Sequence, residues 1–99
     1  MIRVIAIVTA KPGRREELLK IFHANIPAVH AEDGCVEYAT FVDAEGTRAP
    51  IGPDAFAVLE TWASLAALEA HRTAPHMVAF GSASKDLVAD RKVHVFASA

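Results

Sequence analysis

The chain has 99 residues, of which 53% are hydrophobic and 22% are charged, with ten Lys and Arg against twelve Asp and Glu. This length predicts a single domain over residues 1–99. A net charge of -2 without a basic cluster argues against nucleic-acid binding, and no apolar run approaches the ~20 residues of a membrane span. The start resembles a strand rather than a signal peptide, and the lone cysteine suits a reducing compartment. We therefore expect a cytoplasmic protein.

The first strand and first helix are set apart by a change in hydrophobic period. Residues 2–10 are rich in β-branched residues and apolar on both faces, which predicts a strand covered on both sides. After a Lys-Pro-Gly break, apolar residues at helical spacing predict a helix over about 14–31. Pro27 lies inside this helix, so we expect a kink there, with Asn25 capping a short second segment.

The rest of the chain alternates in the same way, with clear turn and cap signals between the segments. In chain order the sequence predicts a strand over 35–42, a connecting loop over 43–54, a strand over 55–63, a helix capped by Ser64, a second helical segment from Pro75 to about Val88, and a strand over 92–97.

This order, strand-helix-strand-strand-helix-strand, predicts an α+β, ferredoxin-like βαββαβ fold with a four-stranded antiparallel sheet and helices on one face. The other sheet face is apolar in the first three strands. An exposed apolar face of this kind favours association, and two-fold packing of a second copy is the simplest solution. The sequence therefore predicts a homodimer.

Several short motifs, taken together, resemble one known family. The matching pieces are Glu60-x-Trp62, the run Ala67 to His71, Pro75-His76, Phe80, the turn at 11–13, and Gly34-Cys35-x-x-Tyr38. In this order and spacing, over about residues 2–97, they resemble the antibiotic biosynthesis monooxygenase superfamily. The resemblance implies a dimeric α/β barrel built from two ferredoxin-like subunits. It also implies cofactor-independent oxidation of quinols or polycyclic phenols, although relatives on this scaffold degrade haem or isomerise small metabolites.

The chain departs from two branches of that superfamily. Val58 stands where the anthrone-oxidising members carry an Asn, and it cannot donate a hydrogen bond to a ketone. His71 and Gly81 stand where the haem-degrading members carry a Trp and an iron-ligating His. The resemblance therefore implies the general, quinol-oxidising branch.

The candidate catalytic residues are His71, His76 and Glu60. A histidine near neutral pH can accept a phenolic proton, and a carboxylate among apolar strand residues is a candidate base with a raised pKa. Each has a structural alternative, as a capping or surface histidine or as a partner in a buried ion pair. The candidate substrate-binding residues are Trp62, Tyr38, Phe22, His23, Met77 and Phe80, for which packing in the core is the alternative.

Three functions remain open at this point. The first is a cofactor-free monooxygenase or oxidase of a phenolic, quinol or anthrone-type substrate, in which the pocket stabilises the phenolate that reduces dioxygen. The second is an isomerase of a small polar metabolite, and the third is a non-catalytic dimer that binds an apolar small molecule. The spacing of His71 and His76 differs from the i, i+4 pairs of metal-binding helices. There is no glycine-rich phosphate loop, so we expect neither a metal nor another cofactor.

Overall fold

Four strands and three helices follow one another along residues 1–99 in the computed structural model. The elements are β1 (Ile2–Ala10), α1 (Arg15–His30), β2 (Cys35–Phe41), β3 (Ala55–Trp62), α2 (Leu65–Arg72), α3 (Pro75–Ser84) and β4 (Val88–Ala97). Because α2 and α3 together take the place of the second helix, the order is that of the predicted ferredoxin-like fold. The predicted α+β class is confirmed.

Helix α1 is continuous from Arg15 to His30, although Pro27 lies within it. Proline removes only one amide donor, and the bond from Ala31 N to Pro27 O, 3.1 Å long, continues the helix beyond it. The prediction that Asn25 caps a second segment is therefore wrong. None of the three helices has the length and hydropathy of a membrane-spanning segment.

Ser64 and Pro75 begin the two later helices as the sequence predicts. The Ser64 hydroxyl accepts a hydrogen bond from Ala67 N at 3.1 Å, which satisfies one of the free amides at the start of α2. Pro75 lies in the first turn of α3, where its missing amide costs nothing.

The predicted boundary between the last helix and the last strand is wrong. Helix α3 ends at Ser84 rather than near Val88, and β4 begins at Val88 rather than at residue 92. Leu87 explains the difference, because its N–H bonds to Ser84 O at 2.9 Å and its carbonyl accepts from Lys11 N at 2.8 Å. These bonds close a turn and bring the chain against the end of β1, so that Val88, Asp90 and Arg91 also pair with β1.

The sheet is antiparallel throughout, with strand order β2-β3-β1-β4. Its register places Tyr38, Glu60, Val4 and Val95 in one row across the face that the helices cover. Strand residues alternate between faces, so the positions two and four residues away on β1 and β3, such as Ala6, Val8, Val58 and Phe56, also point toward the helices. The buried core on this face includes Val4, Ala6, Val8, Leu18, Phe22, Phe56, Val58 and Leu68.

The opposite face of the sheet is uncovered in a single chain. Ile5 at its centre is 39% exposed, and Phe41 and Phe96 toward its edges are each 49% exposed. The prediction that both faces of β1 are covered therefore requires a second molecule. Homodimerisation stays a prediction.

Candidate active site

A cavity of about 660 Å³ lies between the helix-facing side of the sheet and the three helices. Of its 19 lining residues, 12 are hydrophobic, which suits a ligand with a large apolar surface. Tyr38, Glu60 and His71 are buried lining residues, whereas Arg72, Lys85 and Arg91, which also line the cavity, are exposed. The cavity therefore reaches solvent near these three side chains.

Glu60 is the carboxylate at the buried end of this cavity and is only 8% exposed. The indole Nε1 of Trp62 donates a hydrogen bond to Glu60 Oε1 at 2.9 Å. Burial raises the pKa of Glu60, while this hydrogen bond and the charge of His71 oppose the rise. Glu60 can therefore exchange a proton closer to neutral pH than an exposed glutamate.

Trp62 does not line the cavity, although the sequence predicts it as a wall for the substrate. It is fully buried, and its ring lies 4.7 Å from the His71 ring, centroid to centroid. Because it shares a strand face with Glu60, two residues away, its indole N–H is used by that carboxylate. Trp62 therefore contacts both Glu60 and His71 without lining the cavity itself.

His71 lines the cavity from the last turn of α2 and is 5% exposed. Its Nδ1 lies 2.7 Å from Oε2 of Glu32, a residue of the turn after α1. Its ring also contacts Tyr38 at a centroid distance of 5.5 Å. The Nε2 atom has no hydrogen-bond partner within the chain, so it is free to meet a ligand in the cavity.

Tyr38 and Phe22 form an aromatic side of the cavity, with stacked rings 5.6 Å apart. Burial, followed by the charge of Glu60, raises the pKa of the Tyr38 hydroxyl well above its ordinary value. The hydroxyl has no protein partner and is therefore available as a hydrogen-bond donor. Phe80 meets Phe22 edge to face at 5.4 Å and closes the cavity from α3.

The remaining predicted residues are divided between the cavity and the surface. Met77 lines the cavity. His76 lies outside it, in a shallow groove between α1 and α3, with its Nδ1 3.2 Å from Asn25 Oδ1. His23 is exposed on α1 and bonds Thr40 Oγ1 at 2.9 Å, so it also lies outside the cavity.

Several residues at this site are absent from the sequence-based candidates, among them Glu32 and Arg91. Glu32 follows a helix and precedes Asp33-Gly34, a pattern typical of a solvated turn, and its contact with His71 spans 39 positions. Arg91 lines the cavity because β4 begins earlier than predicted. A predicted β4 that began at Val88 would place Arg91 on the helix-facing side of the sheet. No local sequence signal identifies Glu32.

The arrangement suits acid-base chemistry on an apolar ligand. A histidine, a carboxylate with a raised pKa and a protonated phenol converge at the closed end of the cavity. No group of three or more His, Cys, Asp or Glu side chains is arranged to hold a metal ion.

Comparison with known proteins agrees with this architecture. Residues 1–83 match the family model described as antibiotic biosynthesis monooxygenase. The chain is 37% identical over 99 residues to the probable quinol monooxygenase YgiN of Escherichia coli, covering 96% of this chain and 95% of that protein.

Solved structures of similar proteins show the same fold. PA3566 from Pseudomonas aeruginosa superposes with a TM-score of 0.84 at 28% identity, covering 99% of this chain and 93% of that one. Rv0793 from Mycobacterium tuberculosis gives a TM-score of 0.82 at 28% identity, covering 99% and 94%. With the family match over most of its length, the chain belongs to the antibiotic biosynthesis monooxygenase family.

Proposed function

We propose that this chain is a monooxygenase of hydroxylated aromatic compounds of the quinol type, in which His71 is the base that removes the phenolic proton. The observation that carries the proposal is the free Nε2 of a buried histidine at the closed end of a mostly apolar cavity. The similarity to a probable quinol monooxygenase over 96% of the chain supports the same substrate class.

The volume and apolar lining of the cavity suit an aromatic ring. This lining, with Phe22, Met77 and Phe80 among its members, would bury the ring. One hydroxyl of the ring would then meet His71 Nε2, with the Tyr38 hydroxyl as a further hydrogen-bond donor to the developing phenolate oxygen. Stabilising that anion in a dry site is the main contribution of the protein.

The reaction balances with the quinol as the only electron donor. Loss of the phenolic proton to His71 gives a phenolate, which transfers one electron to dioxygen, and the resulting pair forms a bond between oxygen and a ring carbon. His71 returns its proton to the peroxide and then takes the proton from that carbon. The C–H electrons form the new carbonyl, the O–O bond breaks, and the leaving hydroxide becomes water by taking a proton from Glu60, to which the proton that His71 took from the carbon then passes. One quinol and one dioxygen thus give one hydroxyquinone and one water.

Glu60 is the second proton-transfer group in this proposal. Its raised pKa lets it hold a proton near the cavity and deliver it to the leaving oxygen. The isomerase alternative requires a mainly polar cavity, and the lining here is mainly apolar. No observation favours it.

We also propose that the working form is a homodimer joined through the uncovered sheet face. The exposed side chains Ile5, Phe41 and Phe96 on this face support it, because contiguous apolar surface of this kind is characteristic of interfaces. Two-fold packing would cover both faces of β1, as its apolar composition predicts.

The test of the function is oxygen consumption with a panel of hydroquinones and anthrones at pH 6 and pH 8, with ¹⁸O₂ to count the oxygen atoms in the product. We expect one labelled atom per product molecule, and His71→Gln to lower kcat by about 10²–10⁴-fold. His23→Gln is the matched control, because His23 is an exposed histidine of α1 that lies outside the cavity and away from the uncovered sheet face. Absence of oxygen uptake by the unaltered protein across the whole panel would refute the proposal.

A further inference from the structure

Glu32 connects two histidines that belong to different helices. Its Oε2 atom lies 2.7 Å from His71 Nδ1 and 3.2 Å from His76 Nε2, and its side chain is 14% exposed. The turn that carries it is fixed by backbone bonds from Glu32 N to Val29 O at 3.0 Å and from Cys35 N to Glu32 O at 3.2 Å. This carboxylate therefore lies between the two histidines, on a turn whose backbone is fixed.

The contact with Glu32 determines which nitrogen of His71 carries the proton. A carboxylate only accepts hydrogen bonds, so the 2.7 Å contact places the proton of a neutral His71 on Nδ1. The lone pair is then on Nε2, the atom that faces the cavity. Contacts of the ring with Trp62 and Tyr38, at 4.7 and 5.5 Å between centroids, keep it from rotating.

The orientation of His76 is determined in a similar way from the other side. Asn25 Nδ2 lies 3.3 Å from the Met77 sulfur, a weak acceptor, so its Oδ1 faces His76 Nδ1 at 3.2 Å and accepts a proton from it. His76 Nε2 is buried and, although near Glu32, meets it at an angle too poor for a hydrogen bond. An unprotonated Nε2 would set its lone pair against the carboxylate, so the contact is an attractive ion pair only when His76 is protonated on both nitrogens.

We infer that Glu32 and His76 are positioning residues for His71: Glu32 fixes the tautomer that presents the Nε2 lone pair to the cavity, and His76 packs against Glu32 from the other side and limits its movement. The inference rests on the proposed role of His71 as the base. His76, a catalytic candidate by sequence, thus acts without touching the substrate, because Glu32 lies between it and His71.

This arrangement also stabilises the charged state that His71 enters during the reaction. When Nε2 gains the phenolic proton, the Nδ1–H bond to Glu32 becomes an ion pair in a largely buried site, where such charge-assisted bonds are strong. The proton stays on His71 until it returns to the peroxide.

The first experiment reads the tautomer directly and does not require activity. Two-bond ¹H–¹⁵N spectra of the ¹⁵N-labelled full chain at neutral pH distinguish protonated from unprotonated ring nitrogens. We expect the neutral form of His71 to carry its proton on Nδ1, and we expect the His71 ring signals to shift in His76→Gln. A neutral His71 protonated on Nε2 overturns the inference for Glu32, and His71 signals unchanged by His76→Gln overturn it for His76.

The second experiment separates positioning from substrate binding. We expect Glu32→Gln, which keeps an acceptor but loses the charge, to lower kcat by about 10²-fold while KM changes by less than about threefold. His76→Gln should lower kcat less. Glu17→Gln is the matched control, since Glu17 is an exposed carboxylate of α1 paired with Arg14. A folded Glu32→Gln protein with unchanged kcat would overturn the inference. Absence of activity in the unaltered chain would refute the proposed function, while the ¹⁵N spectra would still decide the tautomer.

Discussion

Replacement of Gly34 by Ala tests the close packing between the turn that carries Glu32 and the helix that carries His71. Gly34 has a φ of +85°, and a Cβ added there would lie 2.6 Å from the Cβ of Ala67 in α2. Its carbonyl also accepts a hydrogen bond from Ala63 N at 2.8 Å. The backbone of this turn therefore lies directly against the start of α2, and an added methyl group must push the two apart.

The expected cost has two parts. A left-handed backbone angle destabilises alanine relative to glycine by about 1–2 kcal/mol. The two Cβ atoms must also separate by about 1 Å to reach ordinary van der Waals distance, and overpacking of this kind costs about 1–3 kcal/mol. We expect Gly34→Ala to lower the free energy of unfolding by about 2–5 kcal/mol.

Urea unfolding followed by circular dichroism measures this cost, and Gly46→Ala is the matched control. Gly46 has a φ of +77° with nothing within 4 Å of an added Cβ, so it should show only the backbone part. A second change, Ala67→Gly, removes the atom that the new methyl group meets. In the double variant we expect about 1–3 kcal/mol of favourable coupling. Equal losses for Gly34→Ala and Gly46→Ala, or no coupling with Ala67→Gly, would refute the reasoning.

Three further predictions concern the site and the assembly. The folded-state pKa of Glu60 is raised by burial, so its contribution to stability is fully present below the unfolded pKa and is lost as pH rises through the folded value. Glu60→Gln should therefore be more stable than the unaltered protein at pH 8 in urea unfolding, with the difference shrinking toward pH 4, and an equal difference at both pH values would contradict this. Tyr38→Phe should lower kcat for a quinol by about 3–10-fold, the value of one hydrogen bond to the developing phenolate oxygen, with the unfolding midpoint nearly unchanged. An unaltered kcat would contradict this role of the Tyr38 hydroxyl. Ile5→Glu should give a monomer in sedimentation equilibrium, whereas Val78→Glu, at a 62% exposed position on α3, should keep the mass of a dimer. Equal masses for these two variants would argue against assembly through the sheet face.

The elements that the sequence predicts well are those with a strong local signal. β1 and β3 are runs of nine and eight mostly apolar residues, and Ser64 and Pro75 begin helices for reasons of backbone chemistry that act within one turn. The start of β4 is different, because it depends on hydrogen bonds between Leu87 and Lys11, residues far apart along the chain. Such a boundary belongs to the tertiary structure and leaves no local pattern.

The candidate site is likewise predicted only where a local sequence pattern exists. Glu60 and Trp62 share a strand face by alternation alone, and His71 falls on the buried face of an amphipathic helix. The sequence therefore places them near a common cavity. It cannot show that the indole N–H of Trp62 donates a hydrogen bond to Glu60. Nor can it show that Glu32, from the turn after α1, lies between His71 and His76. Those facts depend on how two distant segments meet.

Trp62 is placed so that its fluorescence responds to proton transfer at His71 and Glu60. It is the single tryptophan, so all indole fluorescence comes from one ring, which contacts the imidazole of His71 and donates its N–H to Glu60. A positive charge arriving on that imidazole quenches indole emission, and a change of ionisation at the carboxylate shifts it. Proton transfer at the buried end of the cavity is thus visible in the intrinsic emission spectrum, without a label and without a coloured substrate.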